Sequence, residues 1–185
     1  LSTCAYVKET GDVSILEEAV GYADRDYAKG PDGRRRFADG KPAESLLDHL
    51  ETSIAYTMKK RGPHGLPLIG HADWNDCLNL NCFSKEPNES FQCAGDVAGS
   101  KAESVMIAGL FLKAAAEMSG LYAFLRRPAD EKRMEAARRE MLAAVETQAW
   151  DGEWYRRAYD AEGRPVGSRD CDEGRIFIES QAWCA

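Results

Sequence analysis

Asp73, Trp74, Asn75 and Asp76 stand consecutively inside GLPLIGHADWNDCLNL, residues 65–80. Two carboxylates beside an indole plane and an amide suit carbohydrate. The aromatic face can cover the apolar side of a sugar ring, and the polar groups exchange directional hydrogen bonds with its hydroxyls. Breaking a glycosidic bond also requires a proton for a poor alkoxide leaving group, and a carboxylic acid whose pKa is raised by burial can deliver it. On residue types alone either Asp73 or Asp76 fits that role, and helix capping by the aspartates with Trp74 as packing accounts for the same residues. Inverting hydrolysis would need, in addition, a separate base to activate water, which two neighbouring acids do not by themselves supply.

Other candidate groups lie nearby in sequence. Glu103 follows Ser100 by the spacing of a capping box, in which the serine caps a helix and the glutamate reaches back; a place in the pocket is the competing reading. His64 and His71 flank the DWND stretch and suit local loop hydrogen bonding or the orientation of polar groups or phosphate, whereas His49 falls within a helix without a catalytic partner. Trp150, Trp154 and Tyr155 read as a packing joint, with a sugar platform as the alternative. The cysteines at 4, 77, 82, 93, 171 and 184 are too irregular for a disulfide scaffold or a paired-ligand zinc site, so ordinary thiols and no metal are expected.

These groups need a frame. The opening residues read as the end of a helix, a turn at Gly11 and Asp12, and a short helix bearing Val13, Leu16 and Val20. Residues 24–42 form a charged connection rich in Asp, Arg, Gly and Pro. Leu46, Leu50, Ile54 and Met58 make a stripe on a helix expected from Pro42 to Lys60, stopped by Arg61–Pro63. From 62 to 99 no helical period persists, and so long a loop in a compact protein raises the expectation that it shapes a site. VMIAGLFLKAAAEM then supplies a helix apolar around much of its surface. A second helix, from about Pro128 to Ala149, carries a narrower stripe of Met134, Ala137, Met141 and Val145. Residues 150–185 alternate turns with short aromatic or β-branched pieces, in the manner of small strands or extended loops.

Composition narrows the function classes. The 185 residues carry 24 Lys plus Arg against 31 Asp plus Glu, a formal net charge of -7, which disfavours a nucleic-acid footprint. No uninterrupted apolar run approaches the ~20 residues of a bilayer span, and no secretory leader pattern opens the chain. Patterns for phosphate loops, dinucleotide folds, zinc proteases and hydrolase elbows are missing. The alternation of helices with elaborated loops favours an α-helical toroid or solenoid.

Five stretches carry a resemblance: YVKETGD at 6–12, HGLPLIGHADWNDCLNLNCFS at 64–84, AESVMIAGLF at 102–111, WDGEWYRRAYDAEGRPVGS at 150–168 and EGRIFIESQAW at 173–183. Together they resemble glycoside hydrolase family 94, closest to its cellobiose-cleaving members. The resemblance implies a cytoplasmic enzyme, homodimeric at full length, that cleaves cellobiose with inorganic phosphate and inversion to α-glucose 1-phosphate and glucose, without a cofactor. It assigns the general acid to Asp76 and a sugar-binding role to Trp74, with Asp73, Asn75, His71 and Glu103 as supporting groups. Phosphate replaces activated water, which removes the need for a protein base. The implied fold is all-α, a partial (α/α)6 barrel with long loops and short β pieces, of which residues 1–185 read as an internal segment cut at both ends. Related phosphorylases of N,N'-diacetylchitobiose, cellobionic acid or longer cello-oligosaccharides are the near alternatives; an inverting hydrolase and a noncatalytic carbohydrate-binding module are the distant ones.

Overall fold

The computed structural model describes residues 1–21, 44–69, 80 and 101–185. They fall into two compact units, Ser2–Ala55 and Tyr56–Ala185 with Leu1.

In the first unit, α1 (Ser2–Thr10) buries Cys4 and Val7, which its three-residue spacing places on one face. It ends at Gly11, whose φ of +71° is open to glycine, and the Asp12 carboxylate then accepts from Ser14 N at 2.9 Å and Ser14 Oγ at 2.6 Å. This turn starts the short helix Ser14–Glu17, which buries Leu16. Strand β1 (Ala19–Val20) pairs antiparallel with β2 (Glu44–Ser45), Ala19 opposite Ser45. Helix α2 (Leu46–Lys59) begins later than the expected Pro42, because Ser45 and Asp48 form a reciprocal cap. Asp48 N donates to Ser45 Oγ at 3.2 Å and Ser45 N to Asp48 Oδ2 at 3.0 Å. Of the expected stripe Ile54 is buried, with Leu46, Leu50 and Met58 half-buried.

The second unit is built around α3 (Val105–Phe124), against which α4 (Pro128–Ala144) and α5 (Ile178–Cys184) pack. Val105, Ala108, Phe111, Ala115 and Leu121 are all buried, in keeping with a helix apolar on several sides. α3 is 20 residues long and apolar enough, by length and composition, to cross a membrane. Its burial against two helices and its Lys113–Glu117 ion pair at 2.9 Å give it the features of a core helix. Gly109 permits the close crossing of α5: a Cβ there would lie 2.7 Å from the Trp183 carbonyl oxygen and 2.8 Å from Cys184 Sγ.

α3 is capped by Ser104, whose side chain accepts from Ile107 N at 3.1 Å. The expected box of Ser100 with Glu103 is therefore corrected: Ser100 lies outside the described residues, and Glu103 precedes the helix in strand β3 (Glu103–Ser104). Helix α4 opens with Pro128 in its first turn and buries Met134 and Met141. The expected helix to Ala149 changes character at Val145, where Val145–Ala149 widens into a π-helical turn closed by Trp150 N donating to Val145 O at 3.3 Å. Strands β3, β4 (Ala158–Tyr159) and β5 (Pro165–Val166) form an antiparallel sheet in that order, with Glu103 opposite Tyr159 and Tyr159 opposite Pro165. The described residues are thus mostly helical with short strands, and no closed barrel is seen among them.

Candidate functional site

Just past α2 the chain folds into a tight hairpin. Gly62 N donates to Leu66 O at 2.9 Å, Gly65 N to Gly62 O at 3.0 Å, and Leu68 N to Lys60 O at 3.0 Å. Gly65 sits at φ +77°, a conformation glycine adopts without steric cost. Arg61 fastens the outside of the hairpin through Nη2 to Glu140 Oε1 of α4 at 2.6 Å. The returning arm pairs with β3: Ser104 N donates to Pro67 O and Ile69 N to Ala102 O, both at 2.9 Å, and Leu68 bridges Glu103. Residues 67–69 therefore extend the β3–β4–β5 sheet by one edge.

Glu103 fills the hollow of this hairpin and is fully buried, at 0% exposure. A carboxylate without water must be matched by donors or it is strongly destabilising. Here Oε1 accepts from His64 N and Leu66 N, each at 3.1 Å, and Oε2 lies 2.5 Å from His64 Nδ1. Facing a carboxylate oxygen, Nδ1 is the ring nitrogen that carries hydrogen. The fit leaves no room at Gly62, where a Cβ would lie 2.5 Å from Glu103 Cγ and 2.7 Å from Oε1.

The His64 ring stacks on Tyr159 of β4, with centroids 3.7 Å apart and planes 13° from parallel. Tyr159 in turn donates its hydroxyl to Gln148 O at 2.6 Å and accepts from Arg156 Nη1 at 2.9 Å. Arg156 Nη2 pairs with Asp151 Oδ1. Asp151, itself buried, also accepts from Ser168 Oγ at 3.1 Å and Arg169 N at 2.7 Å. Burial pushes the Asp151 carboxyl upward, but the hydrogen bonds from Arg169 N, Ser168 and Arg156 and the Arg156 charge outweigh it and hold it below the usual value. The Glu103–His64 pair thus meets the Tyr159–Arg156–Asp151 hydrogen-bonded network through the ring stack of His64 on Tyr159.

His71, Asp73, Trp74, Asn75 and Asp76 lie outside the described residues. The described neighbours on either side of them are fixed: Ile69 to Ala102, as above, and Leu80 through its carbonyl, which accepts from Ala161 N at 3.2 Å. Glu103 and His64, two separate candidates in the sequence, are brought into contact. His49 is occupied elsewhere, its Nε2 2.9 Å from Val20 O. Trp154 and Tyr155 serve packing: Trp154 Nε1 donates to Gly167 O at 3.0 Å, and Gln181 clamps the Tyr155 peptide, accepting from its N at 2.9 Å and donating to its O at 2.7 Å. Trp150 meets Tyr155 edge-on at 5.0 Å. Cys171 Sγ donates to Pro165 O and Cys184 Sγ to Val105 O, and among the described residues no group of three or more His, Cys, Asp or Glu is placed to hold a metal ion.

Asp151, Arg156, the fully buried Arg157 and Tyr159 were not singled out by sequence reasoning. Their signal was the density of charge among aromatics in WDGEWYRRAYD, which marks a stretch where charged groups are drawn inward.

Over residues 1–185, the whole chain, the sequence matches the family described as glycosyl hydrolase 94 superfamily, catalytic domain. The chain belongs to this family. It is 32% identical over 186 residues to the solabiose phosphorylase of Paenibacillus borealis, covering 97% of this chain and 19% of that protein. It is 28% identical over 179 residues to the N,N'-diacetylchitobiose phosphorylase of Vibrio proteolyticus, covering 96% and 18%. A 3-O-beta-D-glucopyranosyl-beta-D-glucuronide phosphorylase of Paenibacillus borealis is 24% identical over 179 residues, covering 97% and 19%. The chain therefore spans about a fifth of the length of the curated relatives it matches. All three are named as phosphorylases, each for a different substrate, so the family expected from the sequence stands while the expected cellobiose specificity is not singled out.

Proposed function

We propose that this chain is part of the catalytic domain of an inverting phosphorylase that cleaves a β-linked disaccharide with inorganic phosphate. The observation that carries the reading is the match of all 185 residues to the catalytic domain of this family, together with the three relatives above that are named as phosphorylases. Asp76 is the general acid and Trp74 orients the sugar ring at the cleaved bond, with Asp73, Asn75 and His71 shaping the same segment. A phosphate oxygen bonds to the anomeric carbon as the bond to the leaving oxygen breaks. The breaking bond's electrons go to that oxygen, which takes its proton from Asp76. The products are an α-glycosyl 1-phosphate and the released sugar.

The substrate is placed at the level of the β-linked disaccharide. The resemblance points to cellobiose, and the names of the compared relatives favour widening the choice to solabiose, N,N'-diacetylchitobiose and kindred disaccharides. Within this reading the described helices belong to an α/α toroid, residues 1–185 are an internal segment of it, and the full-length enzyme is a cytoplasmic homodimer with phosphate as co-substrate and no cofactor.

The test is to incubate the full-length protein with each of these disaccharides, with and without phosphate, and to assay glycosyl 1-phosphate. Phosphate-dependent release of the α-anomer from at least one is expected. Hydrolysis at an equal rate without phosphate would assign the chain to a hydrolase, and sugar binding without turnover to a noncatalytic module; either result overturns the reading.

A further inference from the structure

At Val145–Ala149 the last turn of α4 holds one residue more than an α-helix allows: Trp150 N donates to Val145 O at 3.3 Å, one residue further back than the Glu146 O of the α register. Such π-turns are rare, recur at functional segments and have identifiable causes. The sequence VETQA contains neither Gly nor Pro, the residues that interrupt a helix from within. The cause therefore lies outside the helix.

The closing carbonyls of a helix have no partner inside it, and here β4 and the chain before it supply the donors. Gln148 O accepts from Tyr159 Oη at 2.6 Å and from Arg156 Nη1 at 2.8 Å, and Ala149 O accepts from Arg156 N at 2.8 Å. The arrangement is not fully satisfied. Arg156 Nε is buried without a hydrogen-bond partner among the described residues, and an unpaired buried donor weakens the state that holds it. Two side chains thus favour the π register while an orphaned donor opposes it, the balance a two-state element requires.

We propose that the last turn of α4 is a register switch set from the 60–69 hairpin through Tyr159. The turn is π while Tyr159 and Arg156 hold Gln148 O, and α once they release it. In the α register Trp150 N bonds Glu146 O, and the chain beyond turns about the helix axis by about 100°, the rotation of one residue. That rotation withdraws Trp150 from Tyr155, which it now meets edge-on at 5.0 Å. Tyr159 joins the two ends of the device: its ring is stacked on His64 of the hairpin, and its hydroxyl holds the turn. The switch needs no substrate and goes beyond the phosphorolysis reading without depending on it.

The experiment uses the full-length protein labelled with 5-fluorotryptophan, with the fluorine signal of Trp150 identified by its loss in Trp150→Phe. Wild type is compared with Tyr159→Phe, His64→Ala and the double variant Tyr159→Phe/Arg156→Lys. Phenylalanine keeps the ring against His64 and removes only the hydroxyl. Lysine keeps a cation beside Asp151 and gives up the planar fork that also reaches Gln148.

A second Trp150 signal is expected in Tyr159→Phe, its ratio to the first raised about tenfold over wild type, the worth of one hydrogen bond. His64→Ala, which frees the Tyr159 ring and leaves both donors in place, should raise the ratio about threefold, a smaller effect because no bond to Gln148 is removed. In the double variant the second signal should dominate, and its crystal structure should show Trp150 N on Glu146 O. An unchanged ratio in either single variant overturns the proposal. So does a double variant that keeps Trp150 N on Val145 O, or whose turn unwinds without entering the α register. Should the double variant fail to fold, the single variants carry the comparison; a Tyr159→Phe that fails to fold would make the hydroxyl a plain structural cap and overturn the switch as well.

Discussion

Glu103 Oε2 lies 2.5 Å from His64 Nδ1, joining residues 39 positions apart in sequence. The contact closes the hollow of the 60–69 hairpin over a carboxylate with no exposure to water. Because Gly62 lines that hollow, Gly62→Ala is expected to destabilise the full-length protein by about 1–3 kcal/mol, the usual cost of overpacking. The thermal midpoint measures it, and a midpoint equal to wild type would show that the hairpin opens freely.

Asp76→Asn in the full-length enzyme should abolish nearly all phosphorolysis of an unactivated disaccharide while leaving the circular dichroism spectrum unchanged. Loss of a positioned acid is worth about 10²- to 10⁴-fold. Turnover near that of wild type would reject Asp76 as the acid.

Asp151 gathers Arg156, Ser168 and Arg169 at one buried carboxylate. Asp151→Ala leaves the Arg156 charge short of its partner, and a loss of about 3–5 kcal/mol is expected in denaturant unfolding. A double-mutant cycle with Arg156→Met separates the pair from the rest of the network; additive effects would show that the pair contributes nothing of its own.

The same carboxyl makes stability depend on pH. Its folded pKa lies below the unfolded value, so between the two the unfolded chain binds the extra proton. The stabilisation is complete above the unfolded value of about 3.9 and is lost as pH falls through the folded value. The gap in thermal midpoint between wild type and Asp151→Asn should therefore narrow below about pH 4, and a gap constant down to pH 2 would contradict the assignment.

Burial pushes the Cys184 thiol up to about 11. At pH 8 it is almost wholly protonated, so iodoacetamide should label it far more slowly than it labels the same cysteine in the unfolded protein. Mass spectrometry of the peptide containing Cys184 reads the two rates; equal labelling would mean that the contact of α5 with Gly109 is open in solution.

Long periodic elements were legible from sequence because burial of one face writes itself into spacing. Ile54 in α2, and Met134 and Met141 in α4, fall where their stripes place them. Boundaries set by side-chain bonds were not legible in the same way. Ser45 with Asp48 displaced the start of α2, and Ser104 rather than Ser100 began α3. The capping-box spacing of Glu103 points to a local partner, whereas its actual partners come from a hairpin far back in the chain. No spacing rule encodes such a contact, because nothing between residues 64 and 103 is periodic. For the same reason the path from Tyr159 to Asp151 went unread: each member is an ordinary polar residue until the fold removes its water.

Ile69 N and Ala102 O are hydrogen-bonded, so everything between them is a stitch with both ends drawn through one rung. Lengthening such a closed excursion costs only logarithmically in chain entropy, about 0.6 kcal/mol per doubling. Residues 70–101 can therefore differ greatly in length and content among relatives without unpicking the sheet beneath.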